Sequence, residues 1–163
     1  MITTIEGCTL AGIYATDEVS AKTLPIGTGP GQGYRTLGRV VVPVAPGDVL
    51  DITGRARVTN DTAPSYVVGV GYHLWMYDCD NGLGSSGKWW QISTSCGDNV
   101  DHERHHMPLL TDTLYTVPAD WPAGHRMAIA LRGDAMSTAA DGQALTVDQG
   151  YGQLTVRRYA PAT

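Results

Sequence analysis

The clearest feature of the sequence is an alternation of apolar and polar side chains with a period of two. In the run VLDITGRARVTN, residues 49–60, one face of an extended chain carries small or apolar residues and the other carries charged or hydroxyl residues. This pattern predicts a half-buried β-strand with an inner face of Leu50, Ile52, Gly54, Ala56 and Val58. The run YVVGVGYHLWMY, residues 66–77, is largely apolar on both faces, which predicts a central strand covered on both sides.

Six further runs have the β-branched and aromatic composition of strands: RVVVPV, KWWQIST, DTLYTVP, RMAIALR, ALTVD and GQLTVRRY. Turn signals separate them, among them APGD at 45–48 and PADWPAG at 118–124, where Gly, Pro and Asp favour bends. No window shows a capped apolar stripe with helical spacing. The sequence therefore predicts an all-β fold, an antiparallel jelly-roll-like β-sandwich of eight to nine strands with almost no helix.

A chain of 163 residues is most simply one structural domain. Within it, residues 1–36 are expected to form an N-terminal strand and a Gly/Pro-rich arm, because TLPIGTGPGQGYR at 23–35 has the composition of an extended connection. Residues 37–163 are expected to form the β-sandwich.

Charge and composition exclude two classes of partner. The net charge is −5, and no basic run exceeds Arg157-Arg158, so the basic face that binds nucleic acid is missing. The first residues lack the features of a signal peptide, and no apolar window is long enough to span a bilayer. We therefore expect synthesis in a cytoplasm, with no nucleic-acid or membrane partner.

The three cysteines, Cys8, Cys79 and Cys96, leave room for at most one disulfide bond. Cys79 and Cys96 are the pair to test. The alternative is that all three are reduced thiols packed as small apolar side chains.

The stretch HERHH, residues 102–106, matches the H-E-x-x-H pattern of zinc peptidases. In that interpretation His102 and His106 lie one helical turn apart and bind one ion, and Glu103 is the general base. However, Pro108 disfavours a helical conformation at Met107, and the surrounding segment offers few apolar residues that could anchor a short helix. The pattern alone is therefore weak support for an enzyme.

One form of the zinc site remains open. Deuterolysin-like zinc peptidases pair H-E-x-x-H with a later G-T-x-D-x-x-Y-G, and the segment LTVDQGYG resembles that second motif at Thr146, Asp148, Tyr151 and Gly152. Leu145 replaces its first glycine. The resemblance implies that His102, His106 and Asp148 bind zinc and that Glu103 is the base. Those enzymes are mainly helical, whereas both segments here lie in strand-and-turn sequence.

As a strand, the same stretch places His102, Arg104 and His106 on one face and Glu103 and His105 on the other. Such a polar ribbon is typical of an edge or a subunit interface, where histidines from several copies could share a divalent ion. A solvated strand or loop is the simpler interpretation. The candidate metal ligands are His102, His105, His106 and Asp148, but we favour no metal and predict no cofactor.

Four tryptophans are prominent in a chain without phenylalanine. Because neighbouring side chains alternate in KWWQ, one of Trp89 and Trp90 is expected in the core and the other at the surface or an interface. An exposed ring could bind a sugar, and the candidates are Trp75, Trp89 and Trp121. The alternative is that a neighbouring subunit or loop covers these rings. No nucleophile elbow or phosphate-binding loop is present, and we predict no catalytic residue.

Four segments carry a resemblance to a known group of proteins: VVVPVAPGDVLDITGRARVTND, YVVGVGYHLWMYD, LYTVPADWPAG and LTVDQGYGQLTVRRY. Over about residues 38–159 the chain resembles the small jelly-roll or sandwich proteins that bacteriophages, particularly those of actinobacterial hosts, use as capsid decorations, head fibres or tail modules. The resemblance implies a non-enzymatic structural protein of the virion. It implies a homotrimer that packs on other virion proteins such as the major capsid protein. The alternative from another class is a carbohydrate-binding, lectin-like module that recognises a glycan, for example on a host surface; the zinc peptidase is the third.

Overall fold

A computed structural model of the chain describes residues 4–5, 7–16, 22–28, 34–60, 67–81, 89–100, 106–137 and 143–162. These residues form strands and turns, with no helix among them, and so no helix in this part of the chain could cross a membrane. The strands are β1 (Thr4–Ile5), β2 (Cys8–Thr16), β3 (Lys22–Gly27), β4 (Arg35–Pro43), β5 (Val49–Thr59), β6 (Val68–Asp78), β7 (Trp90–Val100), β8 (His106–Thr116), β9 (Arg126–Met136), β10 (Ala144–Val147) and β11 (Gln153–Pro161).

Eight long strands form the two layers of a jelly-roll sandwich. The order β2-β11-β5-β8 defines sheet I, and the order β4-β9-β6-β7 defines sheet II; all six pairings within the layers are antiparallel. Two four-stranded sheets connected in this interleaved order are the arrangement of a jelly roll. The predicted fold class is confirmed.

Three short strands extend this framework. β1 pairs with β2 at the margin of sheet I. β3 runs antiparallel to β10 and then pairs in parallel with β9 through Ile26 and Gly27, so it bridges the two layers along one side. The described residues thus contain eleven strands, where eight to nine were predicted.

The inner faces of the sheets carry the alternation seen in the sequence. Along β5, the residues predicted to face inward are buried, whereas Asp51, Thr53, Arg55 and Arg57 are at least partly exposed. β6 lies between β9 and β7, as a central strand should, and its Val68, Val70, Tyr72, Leu74 and Met76 are buried. Both predictions are confirmed. The register of these strands is strongly specified, because a shift of one residue would expose the whole apolar set.

The segment before residue 37 contributes to both layers. β2 pairs with β11 over eight residues, and β3 occupies part of the stretch that the sequence suggested was an arm. Pro25 lies within β3, opposite Ala144. The described strands of residues 1–36 therefore belong to the sandwich and do not extend away from it.

Asp48 fixes the turn that joins β4 to β5. Its side chain is 1% exposed, and Oδ2 accepts hydrogen bonds from the Ala45 amide at 2.7 Å and from Arg158 Nε at 2.6 Å. Its carbonyl accepts a bond from the Val117 amide at 2.8 Å. Gly47, with φ of +84°, makes the bend that a side chain would strain. The buried Asp48 carboxylate therefore links this turn to β11, and the Asp48 backbone carbonyl links it to the end of β8.

We expect Asp48→Ala to lower the free energy of unfolding by about 3 kcal/mol, because it leaves the Arg158 guanidinium without its buried partner. The matched control is Asp51→Ala, which breaks the more exposed Asp51–Arg157 pair of 3.0 Å and should cost about 1 kcal/mol or less. Urea unfolding measures both values. Equal losses in the two variants would contradict the role assigned to Asp48.

Tyr72 places its hydroxyl group in the hydrophobic core. The side chain is fully buried, and its hydroxyl has no hydrogen-bond partner in the described part of the chain. Burial, with a smaller contribution from the Asp148 carboxylate, raises the pKa of the phenol above its ordinary value. The folded state therefore favours the neutral phenol, and this group lowers the stability as the pH rises above about 10.

We expect Tyr72→Phe to raise the free energy of unfolding by about 1 kcal/mol, because it removes an unsatisfied buried hydroxyl and keeps the ring. The gain should be larger above about pH 10, where ionisation of Tyr72 in the unfolded chain opposes folding. Urea unfolding at pH 7 and at a pH above about 10 tests both statements. A loss of stability at pH 7 would show that the hydroxyl makes a favourable contact.

Candidate functional site

Two of the three tryptophans proposed as binding residues lie together on the outer face of sheet II. Trp75, on β6, and Trp89, just before β7, both lie near the guanidinium of Arg132 on β9, whose Cζ is 5.0 Å and 6.0 Å from the two ring centroids. Tyr77 packs against Trp89 at a centroid distance of 4.2 Å. Alternation along β6 places Trp75 and Tyr77 on the face opposite the core.

The rings of this outer-face cluster are already stacked. Tyr34 meets the Trp75 ring at 6.1 Å and the Arg132 guanidinium at 5.0 Å, and Arg39 lies over Tyr77 at 5.0 Å. All of these rings are half-buried. Guanidinium groups over aromatic faces are attractive contacts in their own right. The cluster therefore covers the outer face of sheet II around Trp75 and Trp89, and its rings are already in contact with one another and with guanidinium groups.

A polar pair lies beside the cluster. His73 Nε2 is 2.9 Å from Asp134 Oδ1, and both side chains are buried. Gly71 leaves the space for this pair, because a Cβ there would lie 2.7 Å from Asp134 Oδ1 and 3.0 Å from His73 Nε2. The Tyr34 ring meets the His73 imidazole edge-on at 5.0 Å. This pair is a structural element of the sheet that the sequence did not predict.

The third proposed tryptophan, Trp121, lies elsewhere, in a cleft at one end of the sandwich. It is 8% exposed, and its indole Nε1 donates to the His125 carbonyl at 3.1 Å. Trp90 stands in the same cleft and is 45% exposed, in register with Met76 of β6. The expectation that one of Trp89 and Trp90 lies in the core is wrong, because both lie at the start of β7, where the core ends.

This end cleft has a volume of about 530 Å³ and lies between the ends of β6, β7 and β8 and the turn after β8. Its walls include Tyr115 and Ile92, and its polar groups include Asp78, Asn81 and Asp120. Sites for small molecules commonly have volumes of roughly 300–1,000 Å³ and combine apolar walls with a few polar groups. The end cleft therefore has the size and composition of a ligand site.

Among the described residues that line the end cleft, the charged side chains are carboxylates, and none is Lys or Arg. Asp78 Oδ2 is 2.8 Å from His125 Nδ1, which holds that carboxylate in place. Partial burial, and to a lesser degree the nearby Asp120 carboxylate, raises the pKa of Tyr115 above its ordinary value. The Tyr115 hydroxyl thus stays protonated at neutral pH and can donate a hydrogen bond.

The histidine segment is described only in part. His102 and His105 lie outside the described residues, and His106 is the first residue of β8, where it pairs with Thr59 of β5. The backbone at His106 is therefore extended, in agreement with the strand interpretation of that position. Asp148 Oδ2 is engaged by Arg57 and accepts a hydrogen bond from the Thr59 hydroxyl at 2.7 Å.

The aspartates at the end of β6 and the cysteines have structural explanations. In the acidic stretch after β6, the Asp80 amide donates to Asp78 Oδ1 at 2.9 Å, and the Asp80 carboxylate pairs with Arg126 at 2.6 Å. The Arg126 guanidinium holds the pKa of Asp80 well below its usual range. Cys8 and Cys79 are free thiols, so the bridge between Cys79 and Cys96 is not formed.

The outer face of sheet I differs from that of sheet II. Leu110 and Leu114, four residues apart on β8, are 57% and 64% exposed. Ile13 of β2, at the opposite side of the sheet, is also exposed. Between them the surface is polar, with the Asp51–Arg157 pair and a hydrogen bond of 3.0 Å from Arg55 to Gln153. The alternation in DTLYTVP contained the signal for Leu114, but the preceding residues were not assigned to a strand.

Near Leu110, a second cleft of about 400 Å³ opens on the same outer face. Arg57 forms one side of it, with its guanidinium 3.3 Å from the centroid of the exposed Tyr151 ring. Pro108 and Leu110 form the other side. Apolar surface thus continues from β8 across to the turn before β11.

Comparison with known proteins shows a likeness of fold. No family model matches the chain, and no curated protein matches it significantly. Among solved structures, it is similar to a chain in the structure of infectious bursal disease virus Gx strain, at 14% identity and a TM-score of 0.51. That alignment covers 91% of this chain and 34% of the viral chain. The likeness shows a shared β-sandwich fold, and this chain spans about a third of the viral chain's length.

Weaker likenesses reach other β-sandwich proteins. The Eiger TNF of S. frugiperda aligns at 10% identity and a TM-score of 0.45, over 93% of this chain and 94% of its own. The CBM22-1 xylan-binding domain of Paenibacillus barcinonensis Xyn10C aligns at 17% identity and a TM-score of 0.34, over 93% and 88%.

Proposed function

We propose that this protein is a non-enzymatic structural module that self-associates as a homotrimer and packs on other proteins of a phage virion. The observation that carries the proposal is the pair of exposed leucines, Leu110 and Leu114, on the outer face of sheet I. Burying a leucine side chain stabilises an association by roughly 1.5–3 kcal/mol. Asp112 lies between the two leucines on the same face of β8, so each leucine offers a separate apolar contact beside a charge.

The position of these leucines favours contact through the sheet face. β8 is the last strand of sheet I, hydrogen-bonded to β5. On its other side, the Ser93 hydroxyl of β7 donates to the Asp112 carbonyl at 3.2 Å, which partly satisfies the strand edge. An edge treated in this way is less available for strand addition by another copy. The face, with its two leucines on β8 and with Ile13 on β2 at the opposite side, is then the more available surface of sheet I.

The polar groups of this face suit an interface between copies. The Asp51–Arg157 pair lies in register between Ile13 on β2 and Leu114 on β8. An apolar margin beside paired charges gives an association both burial and orientation. A closed ring of copies would cover the same face on every subunit.

The double variant Leu110→Asp/Leu114→Asp should dissociate the assembly. Wild-type protein is expected to sediment with the mass of three chains of 17.4 kDa. The variant should sediment as a single chain, with association weakened on the order of 100-fold, because two buried leucines are replaced by charges. Sedimentation velocity over a range of protein concentrations gives both results.

The control for that experiment is Val41→Asp, which places the same charge at an exposed aliphatic residue on the outer face of sheet II. It should leave the mass unchanged. A wild-type protein that sediments as one chain at all concentrations, or a double variant that retains the wild-type mass, would contradict the proposed interface.

A non-enzymatic role also predicts the behaviour towards zinc. The proposal is supported by the engagement of Asp148 with Arg57 and Thr59, and by the extended backbone at His106. We expect purified protein dialysed against zinc to retain less than one ion per chain by elemental analysis. We also expect no peptidase activity on casein. One zinc per chain, together with casein hydrolysis that Glu103→Gln abolishes, would contradict the proposal.

A further inference from the structure

We infer that the end cleft is a binding site for a neutral saccharide, with Trp90 as the surface on which a sugar ring stacks. The inference goes beyond the structural role proposed above and does not depend on it. It rests on which aromatic faces of this molecule are free, on the polar groups beside them, and on the charge of the cleft.

The aromatic faces of the molecule are not equally available. On the outer face of sheet II, Trp75 meets Tyr34 edge-on, Trp89 packs at a tilt against Tyr77, and the Arg132 guanidinium lies 5.0 Å from the Trp75 ring centroid. In the end cleft, Trp90 has neither a ring nor a guanidinium stacked on it within the described residues, and nearly half of it is exposed. An exposed indole at the mouth of a cleft offers a flat apolar surface to the C–H face of a pyranose ring.

The rest of the cleft holds its shape without a ligand. Trp121 is fixed as a wall by the hydrogen bond from its indole to the His125 carbonyl. The ring of His125 in turn is held by Asp78 at 2.8 Å. Because these walls are already fixed, fewer protein side chains lose conformational entropy when a ligand binds. The site can therefore bind with little rearrangement of its base.

The polar groups match the chemistry of sugar hydroxyls, which both donate and accept hydrogen bonds. Asn81 offers a donor and an acceptor, Asp120 offers acceptors, and Tyr115 offers a hydroxyl. A quaternary ammonium group would also suit aromatic walls and a carboxylate, but it neither donates nor accepts hydrogen bonds. It would leave the Asn81 amide and the Tyr115 hydroxyl unmatched, so the saccharide fits these lining residues better.

The charge of the end cleft further narrows the class of saccharide that it would bind. The cleft presents Asp78 and Asp120, and no Lys or Arg is among those of its lining residues that the structure describes. A uronate or a sialylated glycan would bring its carboxylate towards these aspartates without a cation to pair with it. The ligand class is therefore a neutral oligosaccharide.

The direct test follows the four indole N–H signals of the wild-type protein in ¹H–¹⁵N NMR spectra. The probes are cellohexaose, xylohexaose, mannohexaose and N-acetylchitohexaose, with a trigalacturonate and tetramethylammonium for comparison. We expect at least one neutral oligosaccharide to shift the Trp90 and Trp121 signals in a saturable way and to leave the Trp75 signal unchanged. The two charged probes should produce no such shift.

The matched variants are Trp90→Ala and Trp89→Ala, which remove the same side chain from neighbouring residues on opposite faces of β7. By calorimetry, Trp90→Ala should weaken binding of the active oligosaccharide about tenfold or more, whereas Trp89→Ala should change it by about twofold or less. Trp90→Tyr keeps a ring and should recover part of the affinity. Thermal unfolding of each variant shows that the fold is intact.

The inference is overturned if none of the four neutral oligosaccharides shifts the Trp90 signal at concentrations on the order of 10 mM. It is also overturned if tetramethylammonium or trigalacturonate binds in the cleft in their place. A saccharide that shifts Trp75 and Trp89 while sparing Trp90 would move the site to sheet II and would contradict it equally. None of these results depends on the oligomeric state, so they are independent of the test of self-association.

Discussion

The structure depends on the burial of one face of each sheet against the other. Sheets I and II each present an alternate set of apolar side chains inward, and β6 and β9 are buried on most of their length. At roughly 25 cal/mol per Å² of apolar surface, this burial is the main favourable contribution to folding. Because the period of a strand is two, the same alternation that fills the core determines which side chains must face outward.

The outward faces of the two sheets differ in how their side chains are packed. On the outer face of sheet II, Arg132 lies among Trp75, Trp89 and Tyr34, and Val41 of β4 is 37% exposed. On the outer face of sheet I, Leu110 and Leu114 are more exposed, at 57% and 64%. The two faces are therefore asymmetric in the apolar surface that they offer for association. This asymmetry is the physical basis of the proposed assembly.

Much of the fold could be predicted from the sequence, because strands with one buried face have a strict pattern. The inner face of β5 was predicted from alternation, and the central position of β6 from the apolar residues on both of its faces. β3 was missed because its Pro25 and the surrounding glycines are typical of an arm, and its pairing with β10 and β9 is a tertiary contact. β1 is too short to leave a pattern.

The candidate sites were less predictable, because they depend on distances between strands that are remote in sequence. The sequence singled out Trp75, Trp89 and Trp121 as binding residues but not Trp90. Alternation predicted that Trp89 and Trp90 face opposite sides, and the fold shows which side each one faces: Trp89 packs against Tyr77, and Trp90 lines the end cleft. In the same way, the resemblance of residues 145–152 to a zinc-peptidase motif did not reveal that Asp148 pairs with Arg57 across β5. The sequence identified the residue types of interest, but only the fold shows which residues they contact.

The exposed face of sheet I bears most directly on the role of the protein, and hydrogen–deuterium exchange at two protein concentrations tests whether that face is covered. If copies associate through it, amides of β8 and of the adjoining β5 should exchange more slowly at high concentration, while β4 and β9 of sheet II should not change. Uniform exchange at both concentrations, with a mass of one chain throughout, would contradict the account.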